Sequence, residues 1–265
     1  AVLGPVDRTQ TLPLSFAQER LWFLDRLGGG AAYNMPAALH LTGNLDAQAL
    51  QAAIDAIVLR HEILRTRFVD SGGVPVQIVS PSLRIEMQQI DIFAQDESGR
   101  VAQACAVAER EAQVPFVLAE GPLLRVKLLH LAPREHVLVL VLHHILADGW
   151  SIAIMTRELM MLYTEFAAGR VPRLVPLPLQ YGDFACWQRS ADAERTLAPN
   201  RAYWASQLAG AVPTLHLPVD HPRSAEPGLK GGAIRFTFDA ALTTAVKAFA
   251  RKTQVTLHAT LLTAF

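Results

Sequence analysis

The sequence predicts an α/β fold, built as an α+β sandwich in which helices cover sheet. Three observations carry that expectation. Apolar runs of strand length are interleaved with helical patterns along the whole chain. Glycine and proline clusters punctuate them, as turns require. Hydrophobic residues make up 51% of the sequence, enough to fill a core between layers, yet no run is long enough to span a bilayer.

The elements follow in order. A polar lead-in broken by Pro5 and Pro13 opens the chain. Ser15-Phe-Ala-Gln18 then has the Ser-x-x-Gln form of a capping box, in which two side chains satisfy free N–H groups at a helix start. A helix is expected to about Leu27, stopped by Gly28, Gly29 and Gly30. A short strand is expected at residues 37–41. Gly43-Asn44 turns the chain, and Asp46 is placed to cap a second helix. In that helix Leu50, Ile54, Ile57 and Val58 fall at i, i+4, i+7 and i+8, one buried face.

Strands are expected at residues 64–69 and 74–79, with Gly72-Gly73 between them as a hairpin signal. Residues 101–112 are alanine-rich and helical. Two further strands, residues 123–131 and 136–142, flank Ala132-Pro133-Arg134-Glu135. The next helix begins near Ser151. It lays Met155, Leu159, Leu162, Tyr163 and Phe166 on one face and stops by Gly169. Pro172, Pro176 and Pro178 mark a linker. Short helices are expected near residues 183–189 and 203–208, then a proline-containing loop to about Gly232. A strand at residues 233–238 and two helical patterns close the chain, the last still running at Phe265.

Composition narrows the function. The 24 basic side chains balance 24 acidic ones with no long basic run, so neither nucleic acid nor an anionic membrane is an expected partner. The N-terminus lacks the charged-then-apolar pattern of a secretory signal. Cys105 and Cys186 are far apart and outside any C-x-x-C pattern, which reads as two reduced thiols in a cytoplasmic protein.

Chemistry concentrates at Leu142-His143-His144-Ile145-Leu146-Ala147-Asp148-Gly149-Trp150-Ser151. An apolar strand runs into two histidines, a loop with Asp-Gly follows, then a helix. Successive strand residues point to opposite faces, so one histidine faces the packed side and the other a cleft. Three readings stand at this point: two ordinary packed histidines, a metal site, and acid–base catalysis by one of them. The opposed directions make joint metal ligation awkward, and no third histidine lies nearby in sequence. The pairing with Asp148-Gly149 favours acid–base work.

His143-His144-x-x-x-Asp148-Gly149 resembles the signature of the condensation-domain superfamily of nonribosomal peptide synthetases. Three more stretches resemble condensation-domain motifs in the same order: Ser15 to Leu24, Arg60 to Phe68, and Tyr181 to Trp187. The resemblance covers nearly the whole chain. Taken singly, each of these stretches is equally well a capped core helix, a helix end entering a strand, or an aromatic anchor.

The resemblance implies a chloramphenicol acetyltransferase-like lobe, the first of two related lobes. Residues 1–175 are then the N-terminal lobe, and residues 176–265 the linker and the incomplete start of the second. It implies amide formation between a donor aminoacyl or peptidyl thioester and the amine of an acceptor thioester. The wording of the first motif is similar to domains joining an L-configured donor to an L-configured acceptor. Both substrates ride on the 4'-phosphopantetheine arms of donor and acceptor peptidyl carrier domains, and the chain itself is expected to bind no cofactor and no metal. The remaining C-terminal lobe and an adjacent adenylation domain of the same polypeptide are further expected partners. A fragment ending at Phe265 is expected to be nearly inactive alone.

His144 inherits the catalytic role and His143 a supporting one. Asp148 is expected to hold the loop through an arginine, Arg65 or Arg60, and the Gly149 N–H to face a developing oxyanion. A stand-alone acyltransferase, an epimerisation domain and a non-catalytic carrier-docking platform are the alternatives. A heterocyclisation domain is disfavoured, because it would carry aspartates in place of the histidines.

Overall fold

The computed structural model describes residues 3–93, 96–211, 218–220, 234 and 236–265. The chain divides into two compact units, Ala1–Leu217 and Pro218–Phe265. The larger contains every strand found among the described residues, and the histidine loop with them.

Two sheets are present. Strands β1 (Leu12–Pro13), β3 (Thr66–Ser71) and β4 (Val74–Val79) form a three-stranded sheet with β4 in the middle. Strands β2 (Asn34–Thr42), β5 (Met87–Asp91), β6 (Leu124–Ala132) and β7 (Glu135–His143) form the larger one, in the order β2-β7-β6-β5. The apolar runs explain this arrangement. Leu138, Val139, Leu140, Val141 and Leu142 are all buried, so β7 is covered on both faces and belongs in the sheet interior. It pairs antiparallel with β6 on one side and with β2 on the other. Strand β5 pairs parallel with β6 at an edge.

Helix α1 (Phe16–Leu24) starts with the expected capping box: the Gln18 N–H donates to Ser15 Oγ at 3.2 Å, and the Ser15 N–H to Gln18 Oε1 at 3.0 Å. It ends three residues before the expected limit. Asp25–Gly29 continues as a π turn in which Gly28 takes φ +90°, and Gly30–Tyr33 as a 3-10 turn. Gly29 has no room for a side chain, since a Cβ there would stand 2.9 Å from the Leu24 carbonyl oxygen.

Helices α2 (Ala47–Arg60) and α4 (Gly149–Ala167) pack on each other. Asp46 caps α2 through the Gln48 and Ala49 N–H groups, and its expected face is buried. The apolar faces of both helices join β6 and β7 in one core. Helix α3 (Glu97–Gln113) packs against β2, β6 and β7. No helix among the described residues is long and apolar enough to cross a membrane.

The first unit also takes in the proline segment, α5 (Tyr181–Gln188) and α6 (Ala191–Gln207). Asp183 explains the attachment of α5. Its side chain is 1% exposed and accepts from Val6 N at 2.8 Å, Arg8 Nη1 at 2.6 Å and Gln180 N at 2.7 Å. Arg8 Nε also donates to Glu62 Oε2 at 2.8 Å. The Arg8 guanidinium holds the Asp183 carboxyl below the usual range despite the opposing effect of burial. Helix α6 starts well before the expected residues 203–208, capped by Ser190, and carries Pro199 inside it.

In the second unit, α7 (Ala240–Lys252) and α8 (Leu257–Ala264) occupy the two closing helical patterns. The strand expected at residues 233–238 lies partly outside the described residues. The described ones, 234 and 236–238, are not in a strand.

Replacing Arg8 leaves a buried carboxylate without its counter-charge. Arg8→Met is expected to lower the unfolding free energy by about 3 kcal/mol, at the modest end of the range for a broken buried pair because two backbone N–H groups still bind Asp183. A urea titration followed by circular dichroism measures it, and an unchanged midpoint would show that this latch contributes nothing.

Candidate active site

Strand β7 delivers the two histidines in different environments. His143 is the last strand residue and is fully buried. Its Nδ1 accepts from the Ile145 N–H at 3.1 Å, and its ring stands edge-on to Phe116 at 6.3 Å between centroids. Burial first, and the neighbouring His144 second, push its pKa down to about 4, so the imidazole is neutral at neutral pH. With Nδ1 accepting, the proton sits on Nε2, which is buried without a hydrogen-bond partner among the described residues.

His144 is exposed. Its backbone N–H donates to the Tyr33 carbonyl at 2.8 Å, one step beyond the last β2–β7 rung. Its Nδ1 lies 2.8 Å from the Ala147 carbonyl oxygen. A carbonyl can only accept, so Nδ1 carries the proton. In the neutral ring Nε2 is then an unprotonated base. The loop fixes the tautomer that general-base chemistry needs.

Asp148 caps α4. Its Oδ1 accepts from Ser151 N at 2.8 Å and from Ser151 Oγ at 2.6 Å, and these bonds hold its carboxyl below the usual range. This corrects the expected arginine anchor. Arg60 donates instead to Glu158 Oε2 at 3.2 Å and to the Val175 carbonyl at 2.8 Å. Arg65 donates to the Ser80 carbonyl and lies 3.9 Å from Glu62. The physical reason is proximity: the first turn of α4 offers unpaired donors three residues from Asp148, and each arginine meets a closer acceptor where it packs. Gly149 is the first residue of α4, exposed, with an N–H that has no intrahelical acceptor.

A cavity of about 580 Å³ adjoins these residues. His144, Asp148 and Ser151 line it, with Leu21, Leu64, Met155 and Leu179 among its apolar walls. His143, Gly149, Arg60 and Arg65 lie outside its lining. Among the lining residues that the sequence did not mark as site residues are Arg20, His61 and Glu158, the first two inside the stretches singled out above. His61 Nε2 lies 2.7 Å from Glu158 Oε2, the same oxygen that Arg60 reaches. A signal existed for Glu158: Ser151, Met155 and Glu158 fall at i, i+4 and i+7 on α4, so they share a face with the Asp148 cap.

The family model described as "Condensation domain" matches residues 8–265. A linear gramicidin synthase from Brevibacillus parabrevis is 44% identical over 262 residues, 98% of this chain and 3% of that protein. Chondramide synthase cmdD from Chondromyces crocatus is 43% identical over 262 residues, 98% of this chain and 7% of that protein. Among solved structures, the complex of the X-domain and OxyB from teicoplanin biosynthesis is similar, with a TM-score of 0.79 and 30% identity over 97% of this chain and 56% of that one. The chain therefore spans a small part of these relatives and about half of the solved chain.

Two outcomes follow from the site geometry. Asp148→Ala is expected to cost about 1 kcal/mol through the lost cap, whereas Asp148→Asn, itself a good cap, stays near wild type. Comparing the two urea midpoints checks this, and equal losses would point to a charge partner rather than a cap.

For His143, the unfolded chain takes up a proton near the ordinary value of 6.5, while the folded protein does so only near 4. The unfolded state binds more protons in between, so stability is full above about pH 6.5 and falls as pH drops toward about 4. His143→Gln removes that part of the acid slope. Unfolding midpoints of both proteins across this interval test it, and parallel curves would rule out a neutral buried imidazole.

Proposed function

The chain belongs to the condensation-domain family, and on that premise we propose that it carries the site of amide formation in nonribosomal peptide synthesis. The substrates are a donor aminoacyl or peptidyl thioester and an acceptor aminoacyl thioester, each on the phosphopantetheine arm of a carrier domain. The acceptor amine forms a C–N bond to the donor carbonyl, and the C–S bond then breaks. The amine loses a proton, and the departing thiolate gains one. The thioester is already activated, and an α-amino group with a pKa of about 8 is partly neutral at cellular pH. The demand on the protein is therefore positioning and proton transfer rather than strong base chemistry.

One observation carries this reading: the Nδ1–Ala147 hydrogen bond leaves His144 Nε2 as an open base beside the cavity. In this reading His144 orients the amine, takes its proton and returns it to the thiolate. His143 is the neutral support beneath it, and Asp148 fixes the start of α4. The Gly149 N–H is the candidate donor to the oxygen of the tetrahedral adduct, at a helix N-terminus whose dipole favours negative charge.

A second reading, a non-catalytic docking platform, is favoured by the likeness to an X-domain solved in complex with OxyB. One experiment separates them. In a complete module carrying this chain, His144→Ala is expected to cut amide formation between carrier-bound substrates by about a hundredfold or more, with the circular dichroism spectrum unchanged. A folded variant that condenses at the wild-type rate would remove His144 from the chemistry. A wild-type module that docks carriers but forms no amide would favour the platform.

A further inference from the structure

The catalytic reading uses His144 and leaves the His61–Glu158 pair without a task. Glu158 is 8% exposed, and its carboxylate is already matched by the Arg60 guanidinium at 3.2 Å. His61 Nε2 is committed to the same carboxylate at 2.7 Å, so it carries a proton. His61 Nδ1 has no hydrogen-bond partner among the described residues, and His61 lines the cavity. Glu158 lies seven residues beyond Ser151 on α4, about 10 Å along the helix axis at ~1.5 Å per residue. The cavity therefore extends about two helical turns from Ser151 to this pair, and Leu21, Leu64, Met155 and Leu177 line it as well.

We infer that this cavity is a side-chain selectivity pocket, in which His61, oriented by Glu158, forms the polar far end and the apolar walls admit only an uncharged, largely apolar substrate side chain. The inference rests on the amide-forming reading and names the substrate class of that same site. Its volume of about 580 Å³ suits an organic group, since small-molecule sites span roughly 300–1,000 Å³. The other charged residues of the lining, Arg20 and Asp148, are exposed and so stay solvated; a carboxylate or ammonium moving past them would lose water between apolar walls, and the buried Glu158 carboxylate is already paired. A leucine, phenylalanine or tyrosine side chain loses little there, and a hydroxyl tip can bond His61 Nδ1. His61 is thus a specificity-determining residue and Glu158 its positioning residue.

The test uses the complete module with two substrate panels, one varying the donor residue and one the acceptor: alanine, leucine, phenylalanine, tyrosine, glutamate and lysine, each as a carrier-bound thioester. On one of the two panels, kcat/KM is expected to favour leucine, phenylalanine and tyrosine over glutamate and lysine by at least about tenfold, which also identifies whose side chain enters. His61→Leu should lower the tyrosine-to-phenylalanine ratio on that panel by about fivefold or more, because the hydroxyl loses its partner. Leu179→Trp, at a partly exposed wall where folding is least at risk, should shift preference from phenylalanine toward alanine by about tenfold. Amide formation with a flat profile on both panels, or profiles that neither variant changes, would overturn the pocket while leaving the catalytic reading intact. No amide with any pair would instead overturn the reading beneath it.

Discussion

Strand β7 sends its side chains alternately to two covered faces of the sheet until His143, and the β2 ladder ends on the same residue, opposite Asn34. The site depends on that coincidence. At that residue a histidine is packed in the core and held neutral by burial. One residue later, the side chain is in the open, while its backbone is still tied to the Tyr33 carbonyl. A slip of one residue in the β7 register would exchange the two and bury the His144 ring. Residues 138–142 are apolar on both faces, so the cost of such a slip falls at the strand end, where His144 would be desolvated.

The loop after His144 is held by its own bonds. Leu146 N–H donates to the His143 carbonyl at 3.0 Å, Ile145 N–H to the His143 ring, and His144 Nδ1 to the Ala147 carbonyl. Ile145 and Leu146 are themselves buried, so the loop is anchored by apolar contact as well. Each such bond is worth only about 1 kcal/mol net. Their importance is geometric: the tautomer and ring direction are set by the loop itself. The Asp148 cap then begins α4 through Ser151, without a long-range charge partner among the described residues.

Much of this was legible in the sequence because it is local. The Ser15–Gln18 capping box, the Asp46 cap and the buried face of α2 each depend on residues within a few positions of one another. The divergence of His143 and His144 follows from strand period alone. Less legible were features set by tertiary contact or unusual backbone. Strand β5 is short and pairs in parallel with β6, more than thirty residues on in sequence. The π turn after α1 depends on how closely Gly29 approaches Leu24. Arginine partners are the least readable, since a long side chain reaches whichever acceptor packing brings near. So Arg60 meets Glu158 from another helix, and Asp148 is satisfied within its own turn. Helix α6 tolerates Pro199, which sequence reasoning treats as a breaker.

The latch at Asp183 bears on the order in which the unit is assembled. Val6 and Arg8 are synthesised before any strand of the unit, yet the carboxylate that binds both lies about 175 positions later. During synthesis the β6–β7 hairpin and α4 are complete before that carboxylate exists. The lead-in must therefore wait, unlatched, while the sheet forms beside it, and contacts of such separation close late because loop entropy must first be overcome. The segment around Arg8 is thus a closing clasp, fastened only when α5 emerges. Until then Glu62 is the one acidic partner available to Arg8 from this network.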